Sequence, residues 1–307
     1  MSFEFLISKI QKNNFLLIGR AGVDIYPDPP GTKTENAKSF VTHLGGSSAN
    51  MGVQLTLFGG NCNLLTRVSD DALGRFAINQ LNHYGVKNKL VKFEKNETRI
   101  SFAIVETTIK DHQSIIYRHK ASDLFLNNDD IENANIQNFD CLLITGTSLA
   151  AEPSRSATLY ALDIANKNNI PVIMDIDYRP YTWESSNKAK EVYNLAASKC
   201  SGVIGNDDEF GVLAGDYNNG LDHARQLAKN VSLIIYKKGE KGSITFAMNK
   251  EIKKGIFPVK PLKPTGAGDA FMGSLIGSIL KANDLEKSIE IGSAAAAIVV
   301  TLSLIHI

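Results

Sequence analysis

The sequence predicts an α/β fold, a three-layer αβα sandwich with a mostly parallel central sheet, carrying a small β flap. Three observations lead there. Short apolar, β-rich runs alternate with helical patterns along most of the 307 residues. Such alternation builds βαβ units, and strands covered on both faces read as continuous apolar runs. Two segments, 24–44 and 98–118, break the rhythm. The first is polar and Pro-rich; the second alternates like antiparallel strands, through Ile100, Phe102, Ile104, Ile115 and Tyr117. Together they are expected to form a flap over the sheet edge.

In order, Phe15 to Gly19 reads as a strand, Ser48 to Phe58 as a helix and Asn63 to Thr66 as a strand. Asp71 to Tyr84 is an amphipathic helix, with Leu73, Phe76, Ala77, Leu81 and Tyr84 at helical spacing. Cys141 to Ile144 is the next strand, followed by a helix over Arg155 to Asn166 and a strand at Val172 to Met174. A helix over Ala189 to Ala197, a strand at Gly202 to Ile204 and a helix over Leu221 to Lys229 continue the pattern. Leu233 to Tyr236 is a strand, and helices over Asp269 to Lys281 and Leu285 to Val300 close it. Ligands of such folds bind beyond the carboxyl ends of the strands.

Lys+Arg 33 against Asp+Glu 32 leaves +1, so no whole-chain field points to nucleic acid or an anionic membrane. Cys62, Cys141 and Cys200 are far apart and form no metal-binding spacing, which fits a reduced, cytoplasmic compartment. The first residues lack the basic start and cleavage site of a signal peptide. Ile291 to Ile307 carries no formal charge beyond His306, but alanines and Gly, Ser and Thr dilute it, so a buried helix is expected rather than a membrane span. One domain over 1–301 is expected. The six residues 302–307 are expected to be a non-native tail, since a transposon-end sequence, CTGTCTCTTATACACATC, translates to the same Leu-Ser-Leu-Ile-His-Ile.

Thr265-Gly266-Ala267-Gly268-Asp269 leads into the apolar run Ala270 to Ile276. Backbone N–H groups at a helix start attract phosphate oxygens, and glycines let the backbone come close. Asp269 beside them can take the proton of an attacking hydroxyl, or can simply cap the helix. Gly45-Gly46 before Ser47 to Asn50 is either a tight turn or a place where a polyhydroxylated ligand meets the backbone. Arg179, after a buried strand, and Arg118, beside Tyr117 in the flap, can each fork onto a carboxylate or serve a surface ion pair. Asn206-Asp207-Asp208-Glu209 either caps a helix or organises a hydrated magnesium ion through Asn206 and Glu209. Lys237-Lys238-Gly239-Glu240-Lys241-Gly242 is either only a hairpin turn or a functional loop. The chain has no Gly-x4-Gly-Lys-Ser/Thr loop, no Gly-x-Gly-x-x-Gly fingerprint and no Gly-x-Ser-x-Gly elbow.

With these pieces in order, the chain resembles the ribokinase/PfkB family of carbohydrate kinases over roughly residues 15 to 301. Gly19 to Asp24, Tyr117-Arg118, Asp123-Leu124 and Asp177 to Trp183 look most like its bacterial 5-dehydro-2-deoxygluconokinases, enzymes of inositol breakdown. The resemblance implies a ribokinase-like fold and transfer of phosphate from ATP to the 6-hydroxyl of 5-dehydro-2-deoxy-D-gluconate. It implies Asp269 as the base and the amides of Gly266, Ala267 and Gly268 as the anion hole. Asp24, Gly45, Gly46 and Asn50 would hold the sugar, with Tyr117, Arg118 and Arg179 at its acid end. Asn206, Glu209, Gly239 and Gly242 would serve the nucleotide, and Glu209 magnesium through water. Further companions implied are a monovalent cation and a second copy of the chain in a homodimer. Where many members carry Asp-Thr before x-Gly-Ala-Gly-Asp, this chain has Lys263-Pro264. A kinase for 2-dehydro-3-deoxygluconate and a non-catalytic sugar- or nucleotide-binding protein stay open as alternatives.

Overall fold

A computed structural model describes residues 1–95, 97–108, 111–263 and 265–302. The strands are β1 (Phe15–Ile18), β2 (Gly22–Asp28), β3 (Ser39–Gly45), β4 (Cys62–Ser69), β5 (Val91–Glu94), β6 (Phe102–Val105), β7 (Ser114–Tyr117), β8 (Cys141–Thr145), β9 (Val172–Asp175), β10 (Gly202–Asn206), β11 (Leu233–Lys237), β12 (Ser243–Ala247) and β13 (Lys250–Lys254). The helices are α1 (Phe3–Ile10), α2 (Ser47–Leu57), α3 (Ala72–His83), α4 (Asn128–Ala134), α5 (Ser154–Lys167), α6 (Ser186–Ser198), α7 (Asp207–Ala214), α8 (Gly220–Leu227), α9 (Ala267–Leu280) and α10 (Leu285–Thr301).

Nine strands form one sheet in the order β13-β12-β11-β10-β9-β8-β1-β4-β5. It is parallel from β11 to β5, and β12 and β13 return antiparallel at one edge. The four residues of β1 are all buried and alternate between the two faces. Phe15 and Leu17 join α1, α2, α3, α9 and α10 in one core, while Leu16 and Ile18 join α4 to α8 in the other. That is the three-layer arrangement the sequence predicts. β1 lies between β4 and β8, so the chain winds outward from it in both directions and leaves a crevice at its carboxyl end.

A second sheet, ordered β3-β2-β6-β7, is the expected flap. Its position differs from the expectation. It rises from the middle of the main sheet, because only Gly19, Arg20 and Ala21 separate the end of β1 from the start of β2. α10 also differs. Leu285, Ile289 and Val299 are buried, but Ala294 to Ala297 are only half-buried, because this stretch of the helix borders an open cleft. No helix among the described residues is long and apolar enough to cross a membrane. Of the suspected tail, 303–307 lie outside the described residues.

Candidate active site

Four strand ends bring polar side chains, three of them charged, to one place. Arg20 follows β1, Asp175 ends β9, Asn206 ends β10 and Lys237 ends β11, with Asn206 and Lys237 in register. All four line a cleft of about 1250 Å³. Ala103, Val105, Ser114 and Ile116 of the flap line one side. Ile256 to Val259, with Ala296, Ala297 and Val300 of α10, make the other end apolar.

Helix α9 begins at the floor of this cleft. Gly266 caps it at φ 87°, a left-handed conformation that only glycine adopts without strain, and supplies no side chain to the first amides. Those amides have no partner within the helix, so the turn Gly266 to Asp269 presents the positive end of α9. A Cβ on Gly268 would sit 3.6 Å from Lys237 Nζ and 3.9 Å from Asp175 Oδ2, so both groups border the same turn. Asn50 Nδ2 donates to Asp269 Oδ2 at 2.9 Å. Burial, with Asp177 adding to it, raises the Asp269 carboxyl to about 7, and the Asn50 bond opposes this only in part.

The neighbouring charges are interlocked. Burial raises Asp175, while burial of Lys237 is outweighed by Asp175 and Glu209, which hold its ammonium above the usual lysine range. Lys237 Nζ lies 3.9 Å from Asp175 Oδ1. Asp177 accepts from Ser47 Oγ, and its other oxygen pairs with Arg179 at 2.6 Å. Arg179 keeps Asp177 below the usual carboxylate range despite burial, and Asp177 in turn raises Arg179. Asp24, 6 % exposed, is pushed up to about 6 by burial, against Arg20 and Lys263. Lys263 is fully buried, donates to the Thr265 carbonyl at 3.2 Å and is lowered by burial to about 8.

Asn206 and Glu209 form a reciprocal capping box on α7. Glu209 Oε2 accepts from Asn206 N at 2.7 Å, and Oε1 from Tyr178 N at 3.2 Å. Burial raises Glu209 to about 7, with Lys237 opposing. No group of three or more His, Cys, Asp or Glu among the described residues is arranged to hold a metal ion. A magnesium ion held mainly by phosphates and water, with a carboxylate one layer out, fits this donor set.

The structure thus gathers Asp24, Gly46, Asn50, Arg179, Asn206, Glu209, Gly239, Gly242, Gly266, Ala267, Gly268 and Asp269 around one cleft. Three expected residues fall outside its lining. Gly45 meets the Asp24 side chain instead, since a Cβ there would lie 2.1 Å from Asp24 Oδ1. Tyr117 and Arg118 line a separate hollow of about 900 Å³. The pleat explains Tyr117: Ile116 faces the cleft, so Tyr117 turns away and stacks on Phe102 at 4.6 Å. Arg118 is buried and ion-paired, donating to Asp123 through Nε (3.0 Å) and NH2, and to the Thr147 carbonyl at 2.9 Å, with NH1 unpartnered among the described residues. Sequence reading gave no role in the site to Arg20, Asp175, Lys237 or Lys263. A charged residue at the carboxyl end of an apolar strand is the signal that finds the first three.

The family profile described as pfkB family carbohydrate kinase matches residues 12–304. A protein of Photobacterium profundum named 5-dehydro-2-deoxygluconokinase is 36% identical over 289 residues, covering 92% of this chain and 87% of its own. One of the same name from Geobacillus kaustophilus is 34% identical over 294 residues, covering 94% and 88%. Among solved structures, the PfkB protein from Polaromonas sp. JS666 superposes with a TM-score of 0.83 at 21% identity, covering 95% of this chain and 97% of its own. A double mutant of Vibrio cholerae fructokinase bound to fructose, ADP and potassium gives 0.83 at 24%, covering 94% and 93%.

Proposed function

Since the chain belongs to the pfkB family of carbohydrate kinases, we propose that it phosphorylates the 6-hydroxyl of 5-dehydro-2-deoxy-D-gluconate with ATP. The observation that carries the chemistry is Asp269, raised to about 7 beside the open amides of α9. A base is most effective when its pKa lies near the working pH. Asp269 takes the proton from the sugar's primary hydroxyl as that oxygen attacks the γ-phosphoryl group. The amides at Gly266, Ala267 and Gly268, with Lys237 beside them, stabilise the charge that develops on the phosphoryl oxygens. Asn50 holds Asp269 in place. When bound with the nucleotide, magnesium neutralises phosphate charge, and Asn206 and Glu209 are the residues that would organise its water. Adenine suits the apolar end formed by Ile256 to Val259 and α10, with Gly239 and Gly242 at its border. The flap excludes water, which would otherwise drain ATP by hydrolysis.

The acid substrate is supported by Arg20, a buried cation of the cleft with no ion pair among the described residues, and by the relatives' names. The test is ADP release with magnesium and ATP over a panel of sugar acids and neutral sugars. Strong turnover of 5-dehydro-2-deoxygluconate is expected. Preference for a neutral sugar would overturn the acid reading, and ligand binding without turnover would overturn the kinase itself.

A further inference from the structure

Arg118, expected at the acid end of the substrate, is sequestered by Asp123 and does not line the cleft. Arg179 lines it but already carries Asp177 at 2.6 Å. Arg20 differs from both. It is 6 % exposed, it lines the cleft, and no hydrogen bond or ion pair of its side chain occurs among the described residues. Its Nε is buried with no hydrogen-bond partner among the described residues.

A buried guanidinium without a counter-ion is costly, and five donors in a fixed fork suit a planar carboxylate. The nearest anions, Asp24 and Asp177, act on it only at longer range, and Asp177 is held by Ser47 and Arg179. Arg20 is also firmly placed. Its carbonyl accepts from Ala49 N of α2 at 3.2 Å, and Gly46 packs so closely that a Cβ would lie 2.4 Å from that oxygen. The amino end of the eleven-residue α2, whose cap Gly46 supplies no side chain, opens into the cleft beside it and favours negative charge.

We propose that Arg20 binds the carboxylate of the sugar acid and is the residue that selects acids over neutral sugars. This rests on the sugar-acid kinase reading. The substrate's carboxylate supplies the direct partner that the Arg20 side chain lacks among the described residues, bridging Nε and a terminal nitrogen in a charge-assisted pair.

The experiment compares 5-dehydro-2-deoxygluconate with its carboxamide, a neutral isostere, in the full chain and in Arg20→Gln and Arg20→Lys. The wild type should prefer the acid, and Arg20→Gln should lower kcat/KM for the acid by roughly 10²-fold, mostly through KM. Its kcat/KM for the carboxamide and its KM for ATP should stay within about threefold, so the preference collapses. Arg20→Lys should keep part of the preference, because it retains charge but not the fork. An unchanged acid-to-amide ratio in Arg20→Gln, or equal losses on both substrates, would overturn the assignment and leave the acid-kinase reading standing. A wild type that turns over neutral sugars without acid preference would remove that reading and this assignment together. Should Arg20→Gln melt early, the ratio in Arg20→Lys decides alone.

Discussion

Replacing Asp269 by Asn should separate catalysis from stability. Asn keeps the shape and an oxygen to accept from Asn50, but it cannot take a proton. Loss of a positioned base costs roughly 10²–10⁴ in turnover. The stability effect runs the other way. A carboxyl raised in the folded state binds its proton more tightly there, so the native state loses stability as pH climbs from the unfolded value towards the folded one. For Asp269 that window runs from 3.8 to about 7. Taken in full, the shift opposes folding by roughly 4 kcal/mol at pH 8 and about 1.5 kcal/mol at pH 5. Asp269 is half-buried, and solvent entering by the cleft reduces both by about half. Asp269→Asn should therefore be about 2 kcal/mol more stable than wild type at pH 8, with less than half that gain at pH 5. Urea unfolding at the two pH values, together with ADP release, measures both effects. A variant with no pH-dependent gain, or one that turns over within tenfold of wild type, would refute the reasoning.

Glu209→Gln retains a side chain that can complete the capping box, so folding should survive, while the magnesium needed for half-maximal rate rises roughly tenfold; an unchanged magnesium dependence counts against Glu209. Lys237→Met removes a cation 3.9 Å from Asp175, an attraction of about 4 kcal/mol at an effective dielectric near 20. Its melting temperature should fall further at pH 9 than at pH 6, where Asp175 and Glu209 can take up protons instead; equal losses would show that the lysine is not their counter-ion. Gly46→Ala places a Cβ 2.4 Å from the Arg20 carbonyl at φ 95°. Its KM for the sugar should rise at least about tenfold with little change in KM for ATP, and kinetics matching wild type would show that this contact is not restrictive.

Periodicity made the layered fold legible. β1 is a bare apolar run, α3 shows a clean amphipathic stripe, and both appear within a residue or two of where their patterns begin and end. The Gly266 to Asp269 turn was legible as a helix start because glycine suits its left-handed cap and a carboxylate suits its first turn. The place of Arg118 outside the cleft was not legible, because a lone sequence cannot say which carboxylate an arginine will meet; Asp123, five residues on, pairs with it. Arg20 and Lys237 were given no role in the site for a related reason. At the end of an apolar strand a single charge looks like the step into solvent, and only the packing of four such ends shows that they share one crevice. The alanines of α10 looked like core, but small side chains also leave room for a ligand.

The three-residue link from β1 to β2 acts as a mechanical fuse between the flap and the rigid sheet. The link includes Arg20, whose carbonyl is held by Ala49 N and crowded by Gly46, so whatever grips that side chain is tied to the root of the roof. Tight closure then becomes a property of the occupied cleft, with a population set by the occupant's preference for the shut form. A ligand paired with Arg20 would favour the flap position seen here, because the two share that short link.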